Sequence, residues 1–68
     1  MTKGEWLAVV AEYGGVYAAF NYGYGISDVD DDEDPEFRRL VFAAEKKHWD
    51  YVCSEEIETL ERLVDRYE

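Results

Sequence analysis

The chain predicts an all-α fold, a small three-helix bundle with an acidic loop between its first two helices. Three observations lead there. Apolar residues recur at i, i+3 and i+4 in three separate segments. A strong helix start stands at Asp34-Pro35-Glu36, and a second helix start stands at Ser54-Glu55-Glu56. The connections between segments are short, as antiparallel neighbours require.

In the first segment, Glu5 to Phe20, the apolar stripe is Trp6, Val9, Val10, Tyr13, Val16, Tyr17 and Phe20. Gly14-Gly15 interrupts it, at a cost of roughly 1 kcal/mol per glycine relative to alanine in a helix. The glycines end the helix, kink it or allow a close approach, and periodicity does not choose among these. If the helix stops there, residues 16–24 become a strand and the fold becomes α+β. Asn21 to Gly25 reads as a loop because Gly23 and Gly25 remove helical preference.

Residues 26–34 form the acidic loop, with six acids in the seven positions from Asp28 to Asp34. It reads as a mobile, solvated segment. Its end is a helix cap, with Asp34 as N-cap, Pro35 in the first turn and Glu36 facing the positive end of the helix dipole. The second helix extends from Pro35 to about Val52 and shares Phe37, Leu40, Val41, Ala44, His48, Tyr51 and Val52 on one face. The third follows Ser54, with Ile57, Leu60, Leu63, Val64 and Tyr67 inward. Residues 1–68 make one domain, near the lower size limit for folding without disulfide or metal staples. A single helix from Pro35 to Tyr67 is the alternative, and it would need a dimer to fill its core.

Composition narrows the function classes. The chain is 47% hydrophobic and 16% aromatic, too apolar for a disordered acidic tail. Its net charge of −10 exceeds the roughly 2–8 units that solubility asks of a small domain. Self-repulsion of this size lowers stability, which points to a use for the charge. It also argues against direct nucleic-acid binding, which uses Lys and Arg to displace counterions from phosphate. Cys53 is alone, which excludes an internal disulfide and a cysteine-based metal site. The first fifteen residues lack the pattern of a secretory signal, and no run approaches the 18 or so apolar residues that span a bilayer. A soluble, cytoplasmic protein is expected, without membrane contact.

Calcium is the first chemistry to test against the acidic run. Asp28, Asp30, Asp32 and Asp34 fall at positions 1, 3, 5 and 7 of an EF-hand loop. That loop needs Gly at position 6 and Glu at position 12, where this chain has Glu33 and Arg39. Starting at Asp30 places Pro35 and Val41 there instead. Both registers fail, so no metal or other cofactor is expected. Paired-carboxylate hydrolysis needs an acid in an apolar pocket, and every acid here lies in a polar run or on a polar face. His48 reads as a partly buried, hydrogen-bonded residue. Cys53, five positions on, is not on the same side of a continuous helix, which removes a Cys–His nucleophile. It reads as a small buried or boundary residue. The expectation is a non-enzyme.

The charge is concentrated. Residues 28–36 carry −7 and residues 54–68 carry −4, whereas residues 37–53 carry +2. In the last helix, Glu55, Glu58, Glu61, Asp65 and Glu68 recur every three or four residues. A rise of 1.5 Å per residue spaces them by about 4.5–6 Å along the axis. That resembles the spacing of phosphates on one nucleic-acid strand. The expected partner-binding set is Asp28, Asp30, Asp31, Asp32 and Glu33 in the loop with Glu55, Glu58, Glu61 and Asp65 on the helix. A secondary interface is expected at Phe42 and Trp49, seven residues apart on one side of the second helix, with Tyr22 and Tyr24 beside the loop. Phe42 and Trp49 have an alternative use, packing beneath a neighbouring helix.

In size, charge and the lack of an active-site motif, carried by Asp28–Asp34 and the Glu55–Glu68 stripe, the chain resembles small acidic phage-encoded anti-defence proteins. These are the anti-CRISPR and anti-restriction proteins, many of them DNA mimics. The resemblance is one of properties and transfers no individual residue. It implies an inhibitor in the host cell that binds a basic nucleic-acid-binding protein, such as a Cas subunit or nuclease, and blocks its DNA or RNA path. The alternative is an oligomeric regulatory module, antitoxin-like, that uses Phe42, Trp49 and the tyrosines. Either reading is compatible with a monomer or a homodimer.

Overall fold

The computed structural model describes residues 1–67. They form α1 (Lys3–Glu12), α2 (Val16–Asn21), a 3₁₀ turn (Ile26–Asp28), α3 (Pro35–Trp49) and α4 (Glu55–Tyr67). The fold is all-helical as expected, but it has four α-helices rather than three, and no strand occurs among the described residues. Residues 16–24, the alternative strand, hold α2 and its closing turn. No helix among the described residues is long and apolar enough to cross a membrane.

α1 opens with a capping box. The Glu5 N–H donates to Thr2 Oγ1 at 3.2 Å and the Thr2 N–H donates back to Glu5 Oε1 at 2.9 Å. The Thr2 backbone bond, and secondarily the Thr2 hydroxyl, hold the Glu5 carboxyl below the ordinary glutamate range. Stability from this box is therefore present above the ordinary glutamate pKa and lost as pH falls through the lowered one.

Gly14 and Gly15 then break the helix. Their φ values are +94° and +129°, where side-chain-bearing residues are strained. The Gly14 N–H donates to Ala11 O and the Gly15 N–H to Val10 O, the bond pair that closes a helix through one left-handed residue. α2 closes in the same way through Gly23. The stripe survives the break. Val16 and Phe20 reach the core that Trp6 and Val10 began, so periodicity alone did not reveal the stop.

α3 starts where its cap predicts, with the Glu36 N–H donating to Asp34 Oδ1 at 3.0 Å. It ends at Trp49, earlier than expected. Tyr51, at φ +59°, takes the left-handed position, with bonds from the Tyr51 N–H to His48 O and from the Val52 N–H to Lys47 O. Tyr51 and Val52 are consequently exposed rather than on the buried face. The turn also separates α3 from α4, which replaces the single-helix alternative. The Ser54 hydroxyl accepts from the Ile57 N–H at 3.3 Å and caps α4.

α4 packs against α1, α2 and α3. The core joins Trp6, Val10, Phe20, Phe37, Val41, Ile57, Leu60 and Val64, with Trp6 between Phe37 (edge-on, 5.8 Å) and Phe20 (6.3 Å). Val29 closes it from the acidic loop. The 3₁₀ turn is held to α3 by the Ile26 N–H, which donates to Glu45 Oε1 at 3.1 Å. Gly25 gives that carboxylate its space, since a Cβ there would overlap it. Because the obstacle is the flexible end of Glu45 rather than backbone, Gly25→Ala is expected to push that carboxylate aside and cost at most about 1.5 kcal/mol, the worth of an ordinary hydrogen bond. Urea unfolding of the two proteins measures it.

Candidate functional site

The acidic loop is tied down, in contrast to the mobile segment expected. Asp28 Oδ2 accepts from the Gly25 N–H at 3.0 Å. The N-terminal ammonium donates to Asp28 O at 2.7 Å and to Asp30 Oδ1 at 3.0 Å. Arg38 on α3 reaches under the loop, donates to Val29 O and Asp30 O, and pairs with Asp31 Oδ1 at 3.1 Å. Glu33 Oε1 accepts from the Lys3 N–H at 3.0 Å, and Asp34 lies 3.7 Å from Lys3 Nζ. Much of the run is thus spent on holding the N-terminus to the start of α3. Asp32 is exposed and makes no ion pair among the described residues.

The α4 stripe is freer. Ile57, Leu60 and Val64 take the core, so the carboxylates between them turn outward. Glu55, Glu58 and Asp65 are exposed and Glu61 is half-buried. Glu58 pairs with Arg62 one turn on at 3.8 Å, an exposed pair of small energetic worth. Glu68 lies outside the described residues.

A third feature lies at the far end of α3 from the acidic loop. Tyr17, Asn21, His48, Trp49, Tyr51, Val52 and Cys53 line an open groove of about 320 Å³. His48 is part of its lining. Its Nε2–H donates to Asn21 Oδ1 at 3.0 Å, and its ring lies 5.5 Å from Tyr17, 5.4 Å from Phe20 and 4.9 Å from Trp49. The expectation of a half-buried, hydrogen-bonded histidine matches this geometry. The Tyr17 hydroxyl is pushed above the ordinary phenol value, first by partial burial and then by the charges of Glu61, Cys53 and Glu58. Neither carboxylate lines the groove, although both belong to α4, which packs against α2.

Two expectations change here. Cys53 is exposed, not buried, and it shares the groove with His48. The spacing argument that separated them assumed a helix continuing to Val52, and the turn at Tyr51 bends the chain back. Phe42 and Trp49 are 58% and 51% exposed, so neither packs beneath a neighbouring helix. Only Trp49 lines the groove. Tyr22 and Tyr24 stack on Tyr13, with ring centroids at 4.9 and 5.2 Å. The Tyr24 hydroxyl, 3.5 Å away, is the main cause of a raised Tyr13 phenol.

Sequence reasoning singled out Trp49 but missed the groove, because Tyr17 belongs to α2 whereas Tyr51 and Cys53 belong to the connection after α3. The one local signal was an aromatic residue, Tyr51, shortly before the Ser54 cap. Among the described residues no cluster of three or more His, Cys, Asp or Glu side chains is arranged to hold a metal ion. No family model, curated protein or solved structure matches the chain.

Proposed function

We propose that this protein is an acidic inhibitor that binds a basic nucleic-acid-handling protein, of the CRISPR-effector type, and occupies its DNA- or RNA-binding surface by charge mimicry. The observation that carries this reading is the row of α4 carboxylates, with Glu55, Glu58 and Asp65 exposed and Glu61 half-buried beside them, none of which the core uses. The net charge of −10 supports it, because self-repulsion is a cost that folding alone does not repay. The structure shifts weight within the contact surface. Asp28, Asp30, Asp31 and Glu33 serve the fold as well, so α4 together with Asp32 supplies the larger share of available charge.

Salt separates binding from folding. Between about 0.05 and 0.5 M NaCl, capture of the partner on the immobilised chain is expected to fall at least about tenfold as rim charges are screened. The melting temperature of the chain alone should rise over the same range, because its self-repulsion is screened too. Capture that withstands the salt would remove the electrostatic reading.

The exposure of Phe42 and Trp49 favours a second reading, an oligomeric or antitoxin-like module using these aromatics. In that case Trp49→Ala abolishes assembly and charge reversal on α4 has little effect. Analytical ultracentrifugation of both variants distinguishes the two readings.

A further inference from the structure

We propose that the groove between α2 and the end of α3 receives an arginine side chain of the protein partner, the guanidinium lying against the rings of Tyr17, Trp49 and Tyr51. This rests on the reading of a basic protein partner and names the side chain that anchors it.

Three lines of observation carry the assignment. The first is Tyr51. All three helix ends from α1 to α3 close with the same pair of bonds around one left-handed residue, and in α1 and α2 that residue is glycine. At the end of α3 it is a tyrosine that is 93% exposed. Neither burial nor backbone energy selects a tyrosine there, since glycine fits the conformation without strain. Its place on the lip of the groove gives it a use.

The second is charge. No Lys or Arg lines the groove. The carbonyl end of α3, negative by its dipole, closes at Tyr51 and Val52 in the lining. α4, packed against α2, carries Glu58 and Glu61 outside it, and their charges help to raise the Tyr17 phenol. Lys46 and Lys47 belong to the same last turn of α3 but lie outside the lining. A cation is therefore favoured and a phosphate disfavoured.

The third is ring geometry. His48 meets Tyr17 at 56° and Trp49 at 73°, so the aromatic walls are angled and a flat group can lie on one face while another ring flanks it. Guanidinium is planar and weakly hydrated, stacks on aromatic faces and pairs with carboxylates, which suits it here better than a compact ammonium.

The probe is N-acetyl-arginine amide, titrated into the whole chain and followed by the indole N–H resonances of its two tryptophans. Trp49 should shift saturably while the fully buried Trp6 stays fixed, and the uncharged isostere N-acetyl-citrulline amide should bind at least about tenfold more weakly. Tyr51→Gly should weaken arginine binding about two- to fivefold, in the range of an exposed cation–π contact, with a melting temperature equal to or above that of the parent. An equal response to citrulline overturns the proposal. So does a Trp49 resonance that moves on diluting the protein alone, which would mark the groove as a contact between copies of the chain. Shifts confined to residues 28–34 and α4, with Trp49 unmoved, would overturn the arginine pocket and leave the acidic-surface reading standing. Salt-resistant capture would remove that reading instead.

Discussion

Reversing Asp32, Glu58 and Glu61 to lysine together is expected to abolish partner binding while leaving the fold intact. Asp32 makes no ion pair among the described residues, Glu58 is exposed with one weak pair to Arg62, and Glu61 is half-buried at the edge of the face that holds Ile57, Leu60 and Val64. The triple change replaces three attractions with three repulsions against a basic surface, and like-charge juxtaposition at an interface costs several kcal/mol. At about 4 kcal/mol the dissociation constant rises about a thousandfold. Net charge falls in magnitude, so self-repulsion eases and the melting temperature should not drop. Titration calorimetry with the captured partner, beside a thermal melt, reads both quantities. Asp30 and Asp31 are poor choices for this test, because Asp30 holds the N-terminal ammonium and Asp31 pairs with Arg38. Reversing them would mix lost binding with a loosened loop.

The largest stability effect is expected at Trp6. It is fully buried and touches aromatics from α2 and α3, so it joins three helices at one point. Trp6→Ala should cost about 3–5 kcal/mol. A chain of 68 residues has only about 3–10 kcal/mol of total stability, so this loss removes from about a third to all of it and the melting temperature should fall steeply. Trp6→Phe should be much milder, for a specific reason. Among the described residues the Trp6 indole N–H has no hydrogen-bond acceptor, and an unsatisfied buried donor costs about 1–3 kcal/mol. Phenylalanine gives up some packing but removes that penalty. Denaturant midpoints of the two variants should therefore differ by more than the parent and Trp6→Phe do.

Those two sites also show what the sequence made legible. Trp6, Phe37, Leu60 and Val64 declared themselves as core by helical spacing, and Asp34 and Ser54 marked helix starts because a cap is a local event of three or four residues. Where α3 stops was not legible, because a left-handed tyrosine carries none of the signal that Gly14 and Gly23 carry. The ties of the acidic loop were hidden for a different reason. They join Asp28, Asp30 and Glu33 to residues 1–3, some 27 to 30 positions away, and only tertiary structure brings those together. The groove combined both difficulties, needing the unmarked turn at Tyr51 and the packing of α2 beside α3.

Competition for a shared surface tests charge mimicry most directly. The captured partner is bound to its own labelled DNA or RNA, and the nucleic-acid affinity is measured by fluorescence anisotropy at increasing concentrations of this protein. Competitive occupancy predicts that the apparent Kd rises linearly with inhibitor concentration and without a plateau, and that the Asp32, Glu58 and Glu61 reversal removes the effect. An apparent Kd that levels off, with a ternary complex of partner, nucleic acid and this protein, would contradict the account.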